Sequence, residues 1–417
     1  MVKHLSARAC LSRTIARFGH TISRIYTETR LMIKRSTAHV CLIVYGMIAL
    51  ASLSESSQAA VTAPAAVPEP ALSSQGANTE QTSAVTTQRS PENPKDLWSV
   101  MRTRFQLTVA NRAPIELQAR RVAASQTSVQ INLEHASRYL FYVLEEAAAR
   151  EMPAEVALIP FLESGFSPKS SNGLHPAGLW GLMPVAGKSL NLSQNFFSDD
   201  RRDILLSTRA ALDLLQSLYA QFGDWRLALI AYNWGPGNVM SVVRRQQALK
   251  LPTDYDHLNF PRVIQAYVAK LMAWRELITD PERYKVSLPT LAYQPYFVEV
   301  AATHNIDISV AADLAEISVA DFLYLNPSFN KPLIRGTADH KILLPATQVD
   351  VFLTNYLTHQ ERFSAWETVV VSQAQRPEDI AKKHNINVKQ IYEMNPLPRG
   401  AQINAGSSIL IPKSAKQ

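Results

Sequence analysis

The chain runs to 417 residues, 47% of them hydrophobic, enough for about two or three domains and a sizeable core. Its formal net charge of +7 is concentrated at one end: residues 1–59 hold eight Lys/Arg against Glu28 and Glu55, which is +6 of that total. The rest of the chain is close to neutral, which excludes a basic stripe for nucleic acid.

The leader reads as an export signal. Lys34 and Arg35 precede an apolar stretch at 40–53, and Ser57-Gln58-Ala59 sets small residues at the −3 and −1 positions of a cleavage site. That stretch is too short, and too soon followed by polar residues, for a membrane span. Membrane association is therefore expected only through this N-terminal segment, with an uncleaved anchor as the alternative to a signal at 1–59. The residues ahead of Met32 exceed an ordinary n-region, so Met32 is the expected start. Both cysteines, Cys10 and Cys41, fall in the leader, and the chain after it is thiol-free, as suits an oxidising compartment. Residues 60–95, rich in Ala, Pro, Ser, Thr and Gln, cannot bury enough apolar surface to fold and read as a disordered linker.

From Asp96 the texture becomes helical. Tyr139, Leu140, Val143, Leu144 and Ala147 recur at helical spacing ahead of Pro153. A second helix follows Asp203, with Leu205, Thr208, Ala211, Leu212, Leu215, Leu218, Tyr219 and Phe222 on one face and Gly223 as its stop. A third carries Val263, Tyr267, Val268, Leu271 and Trp274, with Pro261 near its start. No long period-two alternation interrupts them, so residues 96–288 read as one mainly α domain.

After Pro289 two stretches share a plan: strand, helix, Asn-Pro, strand ending in Pro. In the C-terminal one, Thr368-Val369-Val370-Val371 reads as a strand, 380–384 and 388–394 as helices, and Ile409-Leu410-Ile411-Pro412 as the closing strand. In the other, roughly 296–345, Asn326-Pro327 matches Asn395-Pro396 and Ile342-Leu343-Leu344-Pro345 matches the end. The expectation is small α+β (βααβ) modules at 289–360, the more degenerate, and 361–417. Two copies suit tandem binding modules and not a solenoid.

Three segments of the helical domain carry chemistry. In Leu158-Ile159-Pro160-Phe161-Leu162-Glu163-Ser164-Gly165 a carboxylate follows a largely apolar run. Desolvation there would raise its pKa and keep it protonated, as a general acid requires; alone, a Glu at a helix end is more often a capping or solvated residue. In Gly178-Leu179-Trp180-Gly181-Leu182-Met183-Pro184 the glycines allow close backbone approach and Trp180 offers a face for sugar stacking; alone, this reads as a buried turn. In Ala231-Tyr232-Asn233-Trp234-Gly235-Pro236-Gly237-Asn238 a phenol and an amide precede Gly-Pro-Gly, a loop that presents polar groups or a structural turn.

Together and in this order the three resemble the lytic transglycosylase family with the goose-type lysozyme fold, over about 190 residues of this chain. The resemblance implies a lysozyme-like catalytic domain at 96–288, with Glu163 as the catalytic acid/base. It places substrate-binding roles at Ser164, Asn172, Gly178, Leu179, Trp180, Met183, Tyr232, Asn233 and Tyr267. Four positions depart from the family pattern: Gly181 replaces a Gln, Asn172 a Ser, Trp234 a small residue, and Val263-Ile264 a Glu-Thr pair. The C-terminal unit resembles a lysin motif (LysM), a module that binds N-acetylglucosamine-containing glycans. Its usual Gly-Asp-Thr/Ser-Leu turn is replaced by Ala374-Gln375-Arg376-Pro377, and Arg376 is a poor helix cap.

The family's chemistry implies cleavage of peptidoglycan strands between N-acetylmuramic acid and N-acetylglucosamine. One glutamate protonates the leaving oxygen, then takes the proton of the muramic C6 hydroxyl as a 1,6-anhydro ring closes. It also implies a periplasmic or secreted, wall-associated enzyme. No cofactor is called for, and the ten histidines include no His-Glu-x-x-His zinc pair. The alternatives are a muramidase, in which water attacks, and a wall-binding scaffold with a decayed site.

Overall fold

The computed structural model describes residues 96–168, 175–336, 341–359, 363–398 and 400–413. The readings of the leader and linker, and of Asn172, lie outside the described residues. No described helix is long and apolar enough to cross a membrane.

The N-terminal part is helical throughout. Asp96 caps α1 (Leu97–Thr103) by accepting from Ser99 N, and Leu97 N donates to Leu291 O, so the start of the domain is tied to the chain that leaves it. Then come α2 (Ala113–Ala124) and the long α3 (Gln126–Ala148), whose buried stripe includes Tyr139, Leu140, Val143, Leu144 and Ala147. A 3₁₀ turn (Ala154–Leu158) feeds the short α4 (Ile159–Glu163), with Pro160 in its first turn where no N–H is missed. After α5 (Pro184–Ser189), α6 (Ile204–Phe222) begins on Asp203, whose carboxylate accepts from Leu205 N and Leu206 N, and stops on Gly223 at φ +69°. Next are α7 (Trp225–Trp234), α8 (Pro236–Ala248) and α9 (Arg262–Thr279). Of the apolar stripes expected from the sequence, two positions face outward: Val263, in the first turn of α9, is 75% exposed, and Tyr219 stacks on Trp225 near the end of α6. One hydrophobic core joins these helices, and Phe297 and Leu343 from the following module complete it.

The first module pairs β1 (Phe297–Ala301) antiparallel with β4 (Lys341–Pro345) around α10 (Ile308–Leu314) and α11 (Val319–Leu325). A small ladder of β2 (Ile306–Asp307) and β3 (Leu333–Ile334) and an added helix α12 (Val349–Thr358) complete it. The second module pairs β5 (Trp366–Val370) with β6 (Ser408–Pro412) around α13 (Pro377–His384) and α14 (Val388–Met394). The repeated Asn-Pro has a physical reason. In both modules the buried Asn amide donates to the carbonyl of the fourth residue before it and to a strand carbonyl. Its Oδ1 accepts the N–H of that same strand residue: Phe322 and Leu343 for Asn326, Ile391 and Leu410 for Asn395. Each asparagine thus ends a helix and fixes the return strand. The weak cap expected at Arg376 is offset in part, because Asp379 accepts its backbone N–H.

Candidate active site

Glu163 is the last residue of α4 and is half-buried. Its Oε1 accepts the hydroxyl of Tyr267, 2.7 Å away on the buried face of α9. Burial raises the Glu163 pKa above the ordinary carboxylate value, and the Tyr267 hydrogen bond opposes part of that rise. Tyr267 and Tyr232 are themselves held as neutral phenols, first by burial and then by the nearby Glu163 charge.

The turn 178–182 closes over this acid. Ala177 and Leu182 pair across its base, and Gly178 and Gly181 take φ +73° and +59°. Two of its carbonyls are held by site hydroxyls: Ser164 Oγ donates to Leu179 O at 2.8 Å and Tyr232 Oη to Trp180 O at 2.7 Å. From below, the fully buried Arg201 ties the loop down. Its guanidinium meets both oxygens of Asp199 at 3.0 and 2.7 Å and donates to His175 O and Leu182 O. A β-carbon on Gly178 would collide with the Arg201 carbonyl. The 199–203 segment ahead of α6 therefore has a clear task, holding the turn that faces the acid.

The structure brings Glu163, Ser164, Gly181, Tyr232 and Tyr267 together. It changes the part expected of others. Leu179 and Trp180 are fully buried, and the indole N–H of Trp180 donates to Thr208 Oγ1, so its ring packs in the core and offers no sugar-stacking face. Gly178 is likewise buried. Met183 is 49% exposed and Asn233 is exposed, both open to a ligand. Trp234 lines a groove of ≈ 430 Å³ with Asn238, Arg245, Asn259 and Phe260, a lining that does not include Glu163. Sequence patterns alone missed the contact between Gly181 and Glu163: a β-carbon at 181 would lie 2.9 Å from Glu163 Oε2. The only hint was that a glycine stands where relatives carry a side chain.

Comparison with known proteins agrees with this geometry. The transglycosylase SLT domain matches residues 141–253, which hold Glu163, the turn and Tyr232, and the LysM-like domain of lytic transglycosylase MltD matches 296–361. That second match falls on the module whose sequence is the less regular. The chain is 27% identical over 329 residues to membrane-bound lytic murein transglycosylase D of Escherichia coli K12, covering 76% of this chain and 72% of that protein. It is 32% identical over 164 residues to an Alteromonas protein named for tributyltin chloride resistance, covering 38% and 79%. The solved lytic transglycosylase Slt of Pseudomonas aeruginosa aligns at 20% identity over 35% of this chain and 24% of that one, with a TM-score of 0.26, too partial a likeness to carry weight. With an SLT domain built around a desolvated glutamate and a MltD-type LysM-like module behind it, the chain belongs to the lytic transglycosylase family, as an enzyme with a mainly α, lysozyme-like catalytic domain.

Proposed function

We propose that this enzyme cleaves the β-1,4 bond between N-acetylmuramic acid and N-acetylglucosamine in peptidoglycan, using Glu163 alone as acid and base. The supporting observation is the environment of that carboxyl. It is desolvated, bound through one oxygen to Tyr267, and among the described residues no second acid perturbs it. Glycosidases that hydrolyse commonly need two carboxylates. A single one suits a reaction in which the substrate supplies its own nucleophile.

In this reading protonated Glu163 gives its proton to the glycosidic oxygen as the bond to the muramic C1 breaks, and the substrate's N-acetyl group supports the developing cation. Ionised Glu163 then takes the proton of the C6 hydroxyl as that oxygen bonds to C1. The 1,6-anhydro ring closes, no water is consumed, and the enzyme ends in its starting protonation state. Asn233 and Met183, exposed beside the turn, are the candidate substrate contacts, with Asn172 proposed from the sequence. Ser164 and Tyr232 act through the turn carbonyls they hold. Residues 96–288 would form the catalytic domain and the two modules would hold the strand, in the periplasm or at the cell wall. Any membrane association would come from the N-terminal segment.

Glu163→Gln should lower release of soluble fragments from purified sacculi by about 10²–10⁴-fold, the usual worth of general acid–base assistance, with the circular dichroism unchanged. Digestion at the wild-type rate would remove Glu163 from the mechanism. Mass spectrometry of the products checks the outcome at C1: anhydro ends are one water lighter than the reducing ends a muramidase leaves. Binding to sacculi without fragment release would point to a scaffold.

A further inference from the structure

Gly181 occupies an unusual place. It sits at φ +59°, on a turn that cannot drift, because Ser164 and Tyr232 hold the carbonyls at 179 and 180 and Arg201 holds that of Leu182. Its bare Cα lies flat against the Glu163 side chain. A β-carbon there would fall 2.9 Å from Oε2, 3.1 Å from the Glu163 β-carbon and 3.6 Å from its carboxyl carbon. On the opposite side Tyr267 takes Oε1, while Oε2 has no protein partner among the described residues and is not closed off from solvent. We propose that Gly181 is a positioning residue for the acid: its missing side chain lets the Glu163 carboxyl lie on the turn, one oxygen on Tyr267 and the other open to solvent. This rests on Glu163 being the acid and deepens that reading. It also gives the glycine a gain of its own in place of the amide that relatives carry there.

The physics comes from the short distances. For an added β-carbon at 181, the 3.1 Å contact with the Glu163 β-carbon asks for a backbone adjustment of a few tenths of an ångström, whereas the 2.9 Å contact with Oε2 is relieved by turning the carboxyl, the far end of a flexible side chain. The groups that face this carboxyl are Tyr267 from α9 and Tyr232 from α7. Tyr267 fills the inner side, which leaves the solvent side as the way out. A displaced carboxyl loses its Tyr267 hydrogen bond and gains water. Since burial is the larger influence, its titration should move toward that of an ordinary glutamate.

The test uses Gly181→Ala and Gly181→Asn in the full chain. Asn tolerates positive φ where Ala does not, so the pair separates backbone strain from the bulk of the side chain. The Glu163 titration is read by NMR on carboxyl-labelled protein, with Glu163→Gln assigning the signal. Both substitutions should lower the Glu163 midpoint by about half a unit or more and reduce kcat on sacculi by about tenfold, with KM within about twofold. Tyr267→Phe should then cost less in the Gly181→Ala background than in wild type. A midpoint unchanged in both variants, or moved only in the Ala variant, overturns the proposal. The titration needs no turnover, so it still decides the role of Gly181 if Glu163 proves dispensable for cleavage.

Discussion

In the proposed mechanism Glu163 holds a proton against solvent and then takes one back, and its two oxygens meet different neighbours. Tyr267 donates to Oε1 and so favours the ionised form, while burial favours the neutral form and prevails. Donation fails once the carboxyl ionises, so activity should be full at low pH and fall as pH rises through the raised Glu163 pKa. Tyr267→Phe removes the interaction that opposes the rise, so this basic limb should move to higher pH, with a loss in kcat of about tenfold to a hundredfold. A limb moving downward would contradict the assignment. Stability carries the same sign. A carboxyl whose pKa is raised on folding adds stability below the ordinary carboxylate pKa and loses it as pH rises through the folded value. Glu163→Gln escapes that loss, so the Tm of the variant relative to wild type should rise as pH rises from the ordinary carboxylate range through the raised Glu163 pKa, in a thermal melt.

The turn 178–182 and the segment 199–203 work as one device at the level of elements. Neither has regular structure to fix it, so the turn depends on Arg201. Its buried guanidinium donates two hydrogen bonds to the Asp199 carboxylate and one each to two carbonyls. Arg201→Met would leave the buried Asp199 carboxylate with no cation and take the guanidinium donors from the His175 and Leu182 carbonyls, Leu182 O keeping only Ala177 N. The expected loss is about 3–5 kcal/mol, the usual cost of breaking a buried pair on one side, measured by denaturant unfolding. Arg201→Lys keeps the charge but cannot span both partners, and should retain part of the stability and little of the activity. Equal unfolding midpoints for wild type and Arg201→Met would show that the clamp is not needed.

The helical domain and the two modules are bound together through the same region. Ser328 and Asn330 of the first module meet Asp199 and Phe197 backbone groups, and the Asn330 side chain donates to Asn195 O and accepts from Arg202. Tyr139 Oη donates to Tyr324 O at 2.5 Å, and Arg138 lies over the Tyr324 ring. Phe197 of the catalytic domain, Leu333 of the first module and Leu410 of the second form one small apolar cluster. The modules thus pack on the helical domain, and the segment they grip adjoins the one that clamps the turn beside Glu163. Leu333→Ala, emptying a buried site at this three-way contact, should cost about 2–5 kcal/mol and raise the rate of limited proteolysis between the modules. An unchanged cleavage pattern would mean the cluster contributes little to docking.

Much of the fold could be read along the chain because the signals are local. The stripe of α3, the Asp203 start and Gly223 stop of α6, and the paired Asn-Pro returns arise from periodicity and capping, which need only near neighbours. The burial of Glu163 was suggested by the apolar run before it, although a helix-end Glu taken alone reads as a capping or solvated residue. The burial of Leu179 and Trp180 was not legible, because an aromatic between glycines suits a ligand face and a core equally well until its neighbours are known. Nor was the contact of Gly181 with Glu163, or the reach of Arg201 to both ends of the turn. Those join residues far apart in sequence, and distance across the chain is set by packing, which no local pattern encodes.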